Sequence, residues 1–208
     1  MASGNFDRAM AHVFRSEGGY VDHPRDPGGA TNMGITIGTL SQHLGRRATK
    51  AEVRALDRAT AARIYRRKYW NAVRADDLPP GVDLVAFDGA VNSGPSRGAK
   101  WLQGALGVAQ DGKIGPQTIA AAKMRAPADT IREAIAARRA FLCRLKTWGT
   151  FGKGWERRLA SVEAEALDMI GHAPAPVRPD VEPATPTTRA PSWLARIIAA
   201  ILRPHRRT

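Results

Sequence analysis

Residues 17–36 read EGGYVDHPRDPGGATNMGIT, and this stretch separates a helical beginning from the rest of the chain. An apolar stripe at helical spacing precedes it and predicts a first helix, with Asn5 as its N-cap. The stripe consists of Phe6, Met10, Val13 and Phe14. Within the stretch, the prolines and glycines of 24–29 end helical structure, and the alternating run 31–37 predicts a small β-hairpin.

Helical patterns return after the hairpin. Thr49 and Glu52 have the spacing of a capping box, which marks the start of a helix. Residues 111–116, DGKIGP, are typical of a turn that leads into a helix beginning at the proline. Further helices are predicted at 57–70, 82–92, 96–106, 116–124, 129–147 and 153–170. The predicted fold class is therefore mainly α, with one small hairpin.

Charge is the first indication of a partner. The 208 residues contain 32 Lys and Arg against 19 Asp and Glu, which gives a net charge of +13. Such an excess favours binding to a polyanion, because long-range attraction does not depend on which anion is present. Nucleic acid, an anionic membrane and an acidic cell wall all fit, and charge alone does not choose among them.

Several kinds of chemistry receive no support from the sequence. The five histidines have no ligand spacing, so no metal site is predicted, and no glycine-rich phosphate loop indicates a nucleotide cofactor. The single cysteine excludes an intramolecular disulfide. Its apolar neighbours Phe141 and Leu142 predict that Cys143 is a buried structural thiol. We expect an activity without cofactors.

Composition changes near Gly171. Residues 172–192 are rich in proline, with six between 173 and 191, and predict an extended linker. Residues 193–208 combine basic and apolar residues, which is typical of an amphipathic helix on an anionic membrane surface. The apolar run is too short to span a bilayer, which needs about 20 residues. A solvated tail without a role is the alternative.

Glu17 is the first candidate for catalysis. It continues the apolar stripe of the first helix, so its carboxyl is expected on the apolar side at the C-terminal end. Partial desolvation and the negative end of the helix dipole both favour the protonated form and raise the pKa of such a group. A carboxyl group has to be protonated in order to donate a proton to a glycosidic oxygen. A solvated glutamate at a frayed helix end is the alternative.

Four motifs extend this reading. They are EGGY at 17–20, DPGG at 26–29, TNMGIT at 31–36 and FDGAVNSG at 87–94. In order and spacing the chain resembles glycoside hydrolase family 108, the N-acetylmuramidases of phage lysis cassettes and related secretion systems. Residues 94–171 resemble the companion peptidoglycan-binding module, most clearly in LQGALGVAQDGKIGPQTIAAA at 102–122.

The resemblance implies a lysozyme-like muramidase domain at 1–93 and a helical peptidoglycan-binding module at 94–171 packed on it. The linker at 172–192 and the tail at 193–208 fall outside it. It also implies cleavage of the β-1,4 bond between N-acetylmuramic acid and N-acetylglucosamine, with Glu17 as general acid. In this reading Gly18 and Gly19 end the helix with positive φ and let the sugar approach the backbone.

The reaction also needs a second carboxylate, to orient water or to stabilise the positive charge of the transition state. Asp22 and Asp26 are the nearby choices. Asp26 is preferred because it lies in the DPGG motif, on a loop able to fold back towards Glu17, whereas a cap of the turn is the alternative for Asp22. The alternative for Asp26 is a turn residue that bonds its own backbone.

Substrate binding is expected from polar and aromatic side chains in the matched motifs. These are Tyr20, Thr31, Asn32, Thr36, Asp88 and Asn92. The hairpin residues have an alternative role in hydrogen bonds within the hairpin. Asp88 and Asn92 lie four residues apart on one helical face beside apolar positions, so a buried polar pair that fixes packing is their alternative.

Peptidoglycan is the predicted partner. An anionic membrane is a second candidate partner, through residues 193–208. No specific nucleic acid is expected, and the chain is predicted to be a monomer. No secretory signal is visible at the N-terminus, so we expect synthesis in the bacterial cytoplasm and action in the cell wall after release or non-classical export. Two rival functions remain. One is a lytic transglycosylase with the same acid, and the other is a basic protein that binds wall or nucleic acid without catalysis.

Overall fold

The computed structural model describes residues 3–22 and 29–171, and within them the chain is mainly helical. The helices are α1 (Ser3–Ser16), α2 (Ile37–Leu44), α3 (Lys50–Arg54), α4 (Arg58–Tyr65), α5 (Val82–Ser93), α6 (Pro95–Ala105), α7 (Pro116–Met124), α8 (Pro127–Cys143) and α9 (Trp148–Met169). The strands are β1 (Thr31–Asn32) and β2 (Ile35–Thr36). The predicted fold class is confirmed. Asp26, the linker 172–192 and the tail 193–208 lie outside the described residues.

Backbone contacts divide the described chain into two compact units. The larger unit contains residues 3–13 and 65–171, and the smaller unit contains residues 14–22 and 29–64. The predicted boundary between residues 93 and 94 falls inside the larger unit, between α5 and α6, which pack closely on each other. The units are described separately below.

The larger unit is built around α5. All 12 residues of this helix are buried, and α6, α8 and α9 pack against it. A helix that is buried on every side needs neighbours that approach closely, and Gly98 of α6 allows this. A Cβ atom at Gly98 would lie 2.7 Å from the backbone nitrogen of Ala90 and 3.0 Å from the carbonyl oxygen of Ala86. Glycine at this position therefore sets the distance between α5 and α6.

An aromatic cluster fills one part of the larger unit. Trp70 is fully buried, with its ring centroid 5.2 Å from that of Phe6 and 5.3 Å from that of Phe87, both in edge-to-face geometry. Its indole Nε1 donates to Asp76 Oδ1 at 2.9 Å, which satisfies the polar end of the side chain. The segment Arg66–Trp70 is a π-helical turn that follows α4. The predicted helix at 57–70 therefore continues past α4 with a wider turn.

Asn5 does not cap the first helix, so this prediction is wrong. Helix α1 begins at Ser3, and Asn5 is buried inside it. Its Nδ2 donates to Asp83 Oδ2 at 2.8 Å, a contact between residues 78 positions apart that local sequence rules do not anticipate. Asp83 Oδ1 also accepts a hydrogen bond from the Leu84 backbone at 2.7 Å. Despite these donors, burial raises the pKa of Asp83 to about 6.

The smaller unit contains the predicted hairpin. Thr31 pairs with Thr36 and Asn32 with Ile35, in an antiparallel register. The two residues of the turn, Met33 and Gly34, have φ values of 46° and 72°. Positive φ at both positions is the requirement of the tight turn that matches the twist of a hairpin.

Two helices follow this hairpin in sequence. Helix α2 follows β2 directly and was not predicted, because the alternating pattern of the hairpin runs into it. The capping box that begins α3 is confirmed, with Thr49 Oγ1 accepting from the Glu52 backbone and Glu52 accepting in return from the Thr49 backbone.

The largest difference from the predicted boundaries lies between α8 and α9. The predicted helices were 129–147 and 153–170, whereas α8 ends at Cys143 and α9 begins at Trp148. Helix α9 therefore includes Gly149 and Gly152, which were expected before it, as well as Gly154. Cys143 is exposed, which corrects the prediction of a buried thiol. The buried face of α8 contains Ile135, Arg138 and Leu142, and Cys143 lies one position beyond the last of them, off that face. None of the helices in the described ranges is long and apolar enough to cross a membrane.

The burial of Asp83 makes stability depend on pH. Its folded pKa of about 6 lies above the usual 3.8, so the ionised form is disfavoured in the folded state. Protonated Asp83 therefore stabilises the folded state at low pH. This contribution to the free energy of unfolding, about 3 kcal/mol, is lost as pH rises from about 4 through about 6. We expect Asp83→Asn to remove this part of the pH dependence. Urea unfolding at pH 4 and pH 7.5 measures it.

Asp129→Asn is the matched control for this prediction, since Asp129 is exposed on the first turn of α8. This control should keep the wild-type difference between the two pH values. An equal difference in wild type and Asp83→Asn would contradict the prediction.

Candidate active site

Glu17 is the first residue after α1 and is half-buried. Its Oε1 atom is shielded from solvent, so the carboxyl group has one side in the protein. This agrees with its expected place at the end of the apolar stripe. The two glycines that follow were expected to have positive φ, and this is wrong, because neither Gly18 nor Gly19 is in the left-handed region. The helix ends at Ser16 without a left-handed cap.

The backbone brings the segment after Glu17 beside the hairpin. Val21 and Thr31 form an antiparallel bridge, each backbone N–H donating to the carbonyl oxygen of the other at 2.8 Å. Thr31 also pairs with Thr36, so the three residues lie side by side. Glu17 is four residues before the bridge, and four extended residues span at most about 13 Å. The bridge thus keeps the candidate acid near the hairpin.

Basic residues around α3 hold two side chains of this segment. The guanidinium of Arg54 lies over the ring of Tyr20, 4.6 Å from its centroid. Lys50 Nζ lies 3.0 Å from Asp22 Oδ2. Tyr20 is half-buried, which leaves part of its ring for a ligand. Asp22 has a cationic partner and is a poorer candidate for the second carboxylate.

The polar residues of the hairpin form hydrogen bonds that hold the smaller unit together. Thr31 Oγ1 donates to the carbonyl of Gly29 at 3.1 Å. Asn32 Nδ2 donates to the carbonyl oxygens of Val53 at 3.0 Å and Arg54 at 3.2 Å, which ties the hairpin to the end of α3.

Thr36 is the N-cap of α2, and its Oγ1 accepts from the backbone of Thr39 at 3.2 Å. Thr31, Asn32 and Thr36 all have local partners, so the geometry favours their structural alternative. Their contact with a sugar stays a prediction.

Asp88 and Asn92 lie in the larger unit, on the buried helix α5. Asp88 is 0% exposed, and Arg138 Nη1 donates to its Oδ2 at 2.6 Å. Arg158 donates to Oδ1 through Nε at 2.9 Å and Nη2 at 2.6 Å. Asn92 Nδ2 donates to the Asp88 carbonyl at 2.9 Å. The structure therefore favours the packing role over a direct sugar contact for both residues.

Opposite effects act on the charge of Asp88. Complete burial by itself would raise the pKa of this carboxyl. The attraction of Arg158 and Arg138 outweighs burial and holds the pKa of Asp88 below its usual range. The carboxylate is thus ionised, and one negative charge meets two positive charges inside the larger unit.

Sequence reasoning missed the four basic residues that contact these side chains: Lys50, Arg54, Arg138 and Arg158. A signal was present for one of them. Arg158 follows Trp155 by three positions and precedes Leu159, which places a charge on the buried face of α9. A charged residue on an apolar helix face predicts a buried partner of opposite sign.

Metal-binding geometry is not seen where the chain is described. Across residues 3–22 and 29–171, no three side chains of His, Cys, Asp or Glu are arranged to hold a metal ion.

Two regions of the chain match known families. Residues 10–94 match the model of glycosyl hydrolase 108, and residues 97–160 match that of a predicted peptidoglycan domain. A solved structure described as the structure of Brucella abortus SagA is 53% identical, covering 83% of this chain and 99% of that chain, with a TM-score of 0.75. The chain belongs to glycosyl hydrolase family 108. No curated protein matches it.

The family membership confirms the resemblance found in the sequence. This member of family 108 is a glycoside hydrolase, and its two matched regions make it a peptidoglycan hydrolase whose site of action is the cell wall. Peptidoglycan is its partner. Glu17, Tyr20, Thr31, Asn32 and Thr36 fall in the glycosidase match, as do Asp88 and Asn92.

The buried cluster of Asp88, Arg138 and Arg158 is expected to stabilise the larger unit. Removing one arginine from Asp88 leaves buried charges poorly compensated, so Arg158→Met should lower the free energy of unfolding by about 3–5 kcal/mol. Arg132→Met is the control, because its partner Asp129 is exposed and 3.7 Å away. Its loss should stay below about 1 kcal/mol. Urea denaturation followed by circular dichroism measures both, and equal losses would contradict a structural role for the cluster.

Proposed function

We propose that this glycosidase is an N-acetylmuramidase that cleaves the β-1,4 bond between N-acetylmuramic acid and N-acetylglucosamine. Glu17 is the general acid. The observation that carries the proposal is the position of Glu17, half-buried with one shielded oxygen, immediately after α1 and before the segment that pairs with the hairpin. Because little water reaches a partly shielded acid, its proton passes to the bound sugar rather than to solvent.

In the proposed reaction the protonated carboxyl of Glu17 gives its proton to the bridging oxygen as the bond to the sugar breaks. Positive charge then develops on the sugar ring, and a second carboxylate stabilises it or activates the attacking water. We assign Asp26 to this role. The ion pair of Asp22 with Lys50, at 3.0 Å, supports the choice, since a carboxylate held by a lysine is less able to move to the sugar.

Glu17→Gln tests the acid. The amide keeps the size of the side chain but is not acidic enough to protonate the leaving oxygen, so release of reducing ends from purified peptidoglycan should fall at least about a hundredfold. Asp22→Asn is the matched control, a carboxylate changed to its amide in the same segment, and it should stay within a few-fold of wild type. Circular dichroism should show both variants folded.

Activity of Glu17→Gln within a few-fold of wild type would remove Glu17 from the mechanism. Mass spectrometry of the wild-type products tests the reaction itself. Hydrolysis adds one water to each broken bond, whereas attack by the sugar's own 6-hydroxyl gives an anhydro product that is lighter by one water. An anhydro product would identify a lytic transglycosylase and contradict the proposed hydrolysis.

We further propose that residues 193–208 bind an anionic membrane surface. Residues 173–208 contain six arginines against Asp180 and Glu182, a net charge of +4. Apolar side chains beside these arginines are able to enter a lipid interface while the cations face headgroups. They are Trp193, Leu194, Ile197, Ile198, Ile201 and Leu202.

A chain that ends at Gly171 should bind anionic vesicles less than the full chain at low salt and keep its activity on isolated peptidoglycan. Co-sedimentation with vesicles that contain phosphatidylglycerol measures the first, and release of reducing ends measures the second. Neutral vesicles are the control. Equal sedimentation of both chains with anionic vesicles would assign no membrane role to the tail.

A further inference from the structure

An open groove lies on the N-terminal part of α9, in the larger unit. Its cavity volume is about 710 Å³. The described residues that line it all belong to this helix: Trp148, Gly149, Gly152, Lys153, Glu156 and Arg157. All six fall within the match to the predicted peptidoglycan domain. None of them belongs to the candidate active site, so the groove needs a separate account.

Trp148 is held in the groove by the absence of a side chain at Gly152. A Cβ atom at Gly152 would lie 2.8 Å and 2.9 Å from two atoms of the indole. The ring of Trp148 therefore lies directly against the backbone of the next helical turn. It is also in contact with the buried Trp155, with 5.9 Å between ring centroids. This packing fixes Trp148, which is only partly buried, as a rigid aromatic wall.

Packing does not explain a second glycine of the groove. A Cβ atom at Gly149 would meet nothing within 4 Å, so no neighbour in the described chain requires glycine there. Glycine weakens a helix relative to alanine. A glycine on the wall of a groove allows a ligand to approach the main chain closely.

The charges of the groove are not balanced. Glu156 is engaged by Arg139, whose Nε lies 3.1 Å from Oε2. Lys153 and Arg157 are exposed, and neither forms an ion pair within the described residues. The Arg157 Nε contact is to the Lys153 carbonyl, at 3.4 Å, which leaves the charge of both cations for an anion. The groove is therefore complementary to a ligand with a carboxylate and an apolar part.

We propose that this groove binds the stem peptide of peptidoglycan, with Lys153 and Arg157 taking its free carboxylates and Trp148 covering its aliphatic part. The proposal rests on the peptidoglycan activity stated above. Peptidoglycan offers two chemistries, a glycan of neutral hydroxyl and N-acetyl groups and a peptide with free carboxylates. Two unneutralised cations select the peptide, because a neutral glycan gains nothing from them.

Calorimetric titration of the full chain with the free tripeptide L-Ala–γ-D-Glu–diaminopimelate tests the site. The probe has no glycosidic bond, so cleavage does not interfere. The double variant Lys153→Glu and Arg157→Glu should weaken binding at least tenfold. The double variant Lys100→Glu and Lys123→Glu makes the same change in net charge at two exposed positions outside the groove, and it should stay within twofold of wild type.

Two glycine variants separate a ligand contact from helix stability. Gly149→Ala should leave the protein as stable as wild type or more stable, and weaken tripeptide binding at least threefold. Gly154→Ala is the matched control, because a Cβ atom there also meets nothing within 4 Å and Gly154 does not line the groove. It should bind as wild type does. Equal binding by Gly149→Ala and Gly154→Ala would place the ligand away from the main chain of the groove and overturn its assignment.

Three other results would also overturn the proposal. They are no binding of the tripeptide by wild type up to about 10 mM, equal weakening by the two double charge variants, and equal binding of a tripeptide with amidated carboxylates. Binding of chitotetraose in place of the tripeptide would make the groove a glycan site. Reducing-end release from intact peptidoglycan is measured in parallel. Failure of Glu17→Gln to lower that release would contradict the proposed acid and leave the tripeptide result standing.

Discussion

One buried carboxylate with two guanidinium groups determines how the larger unit is built. Asp88 lies on a helix with no exposed residue, and its charge is stable there only because Arg138 and Arg158 reach it from α8 and α9. An ion buried without partners would carry a desolvation penalty of several kcal/mol. The helices that supply the arginines are thereby fixed in position against α5, and α9 in turn carries the groove at its N-terminal end.

Hydrogen bonds support the hairpin of the smaller unit, whereas buried charges hold α5 of the larger unit. The strands of the hairpin are only two residues long, and a hairpin of that length is not stable alone. The bridge to Val21, the amide of Asn32 on α3 and the cap of Thr36 on α2 supply the missing support. These polar side chains are thus committed to the scaffold of the smaller unit, and the role of acid that we propose for Glu17 does not draw on them.

Local patterns predicted the local structure well. The hairpin, the capping box of Thr49 and the helices from 82 onward follow from spacing and from the positions of proline and glycine. The partners of Asn5 and Asp88 did not follow, because they are 78 and at least 50 residues away and no local rule reaches that far. The start of α9 was placed too late for a similar reason. Glycines at 149, 152 and 154 argue against a helix, and Trp148 packing on Gly152 outweighs their low propensity.

The distance along the chain between Asp88 and Arg158 has a consequence for synthesis on the ribosome. The second arginine is made 70 residues after the carboxylate that it neutralises. Until α9 has left the exit tunnel, α5 has to keep a charged side chain in water and so stays out of a closed core. The larger unit therefore completes its folding only after nearly all of it has been translated. Contacts of this separation also slow folding, because a long loop has to close before they form.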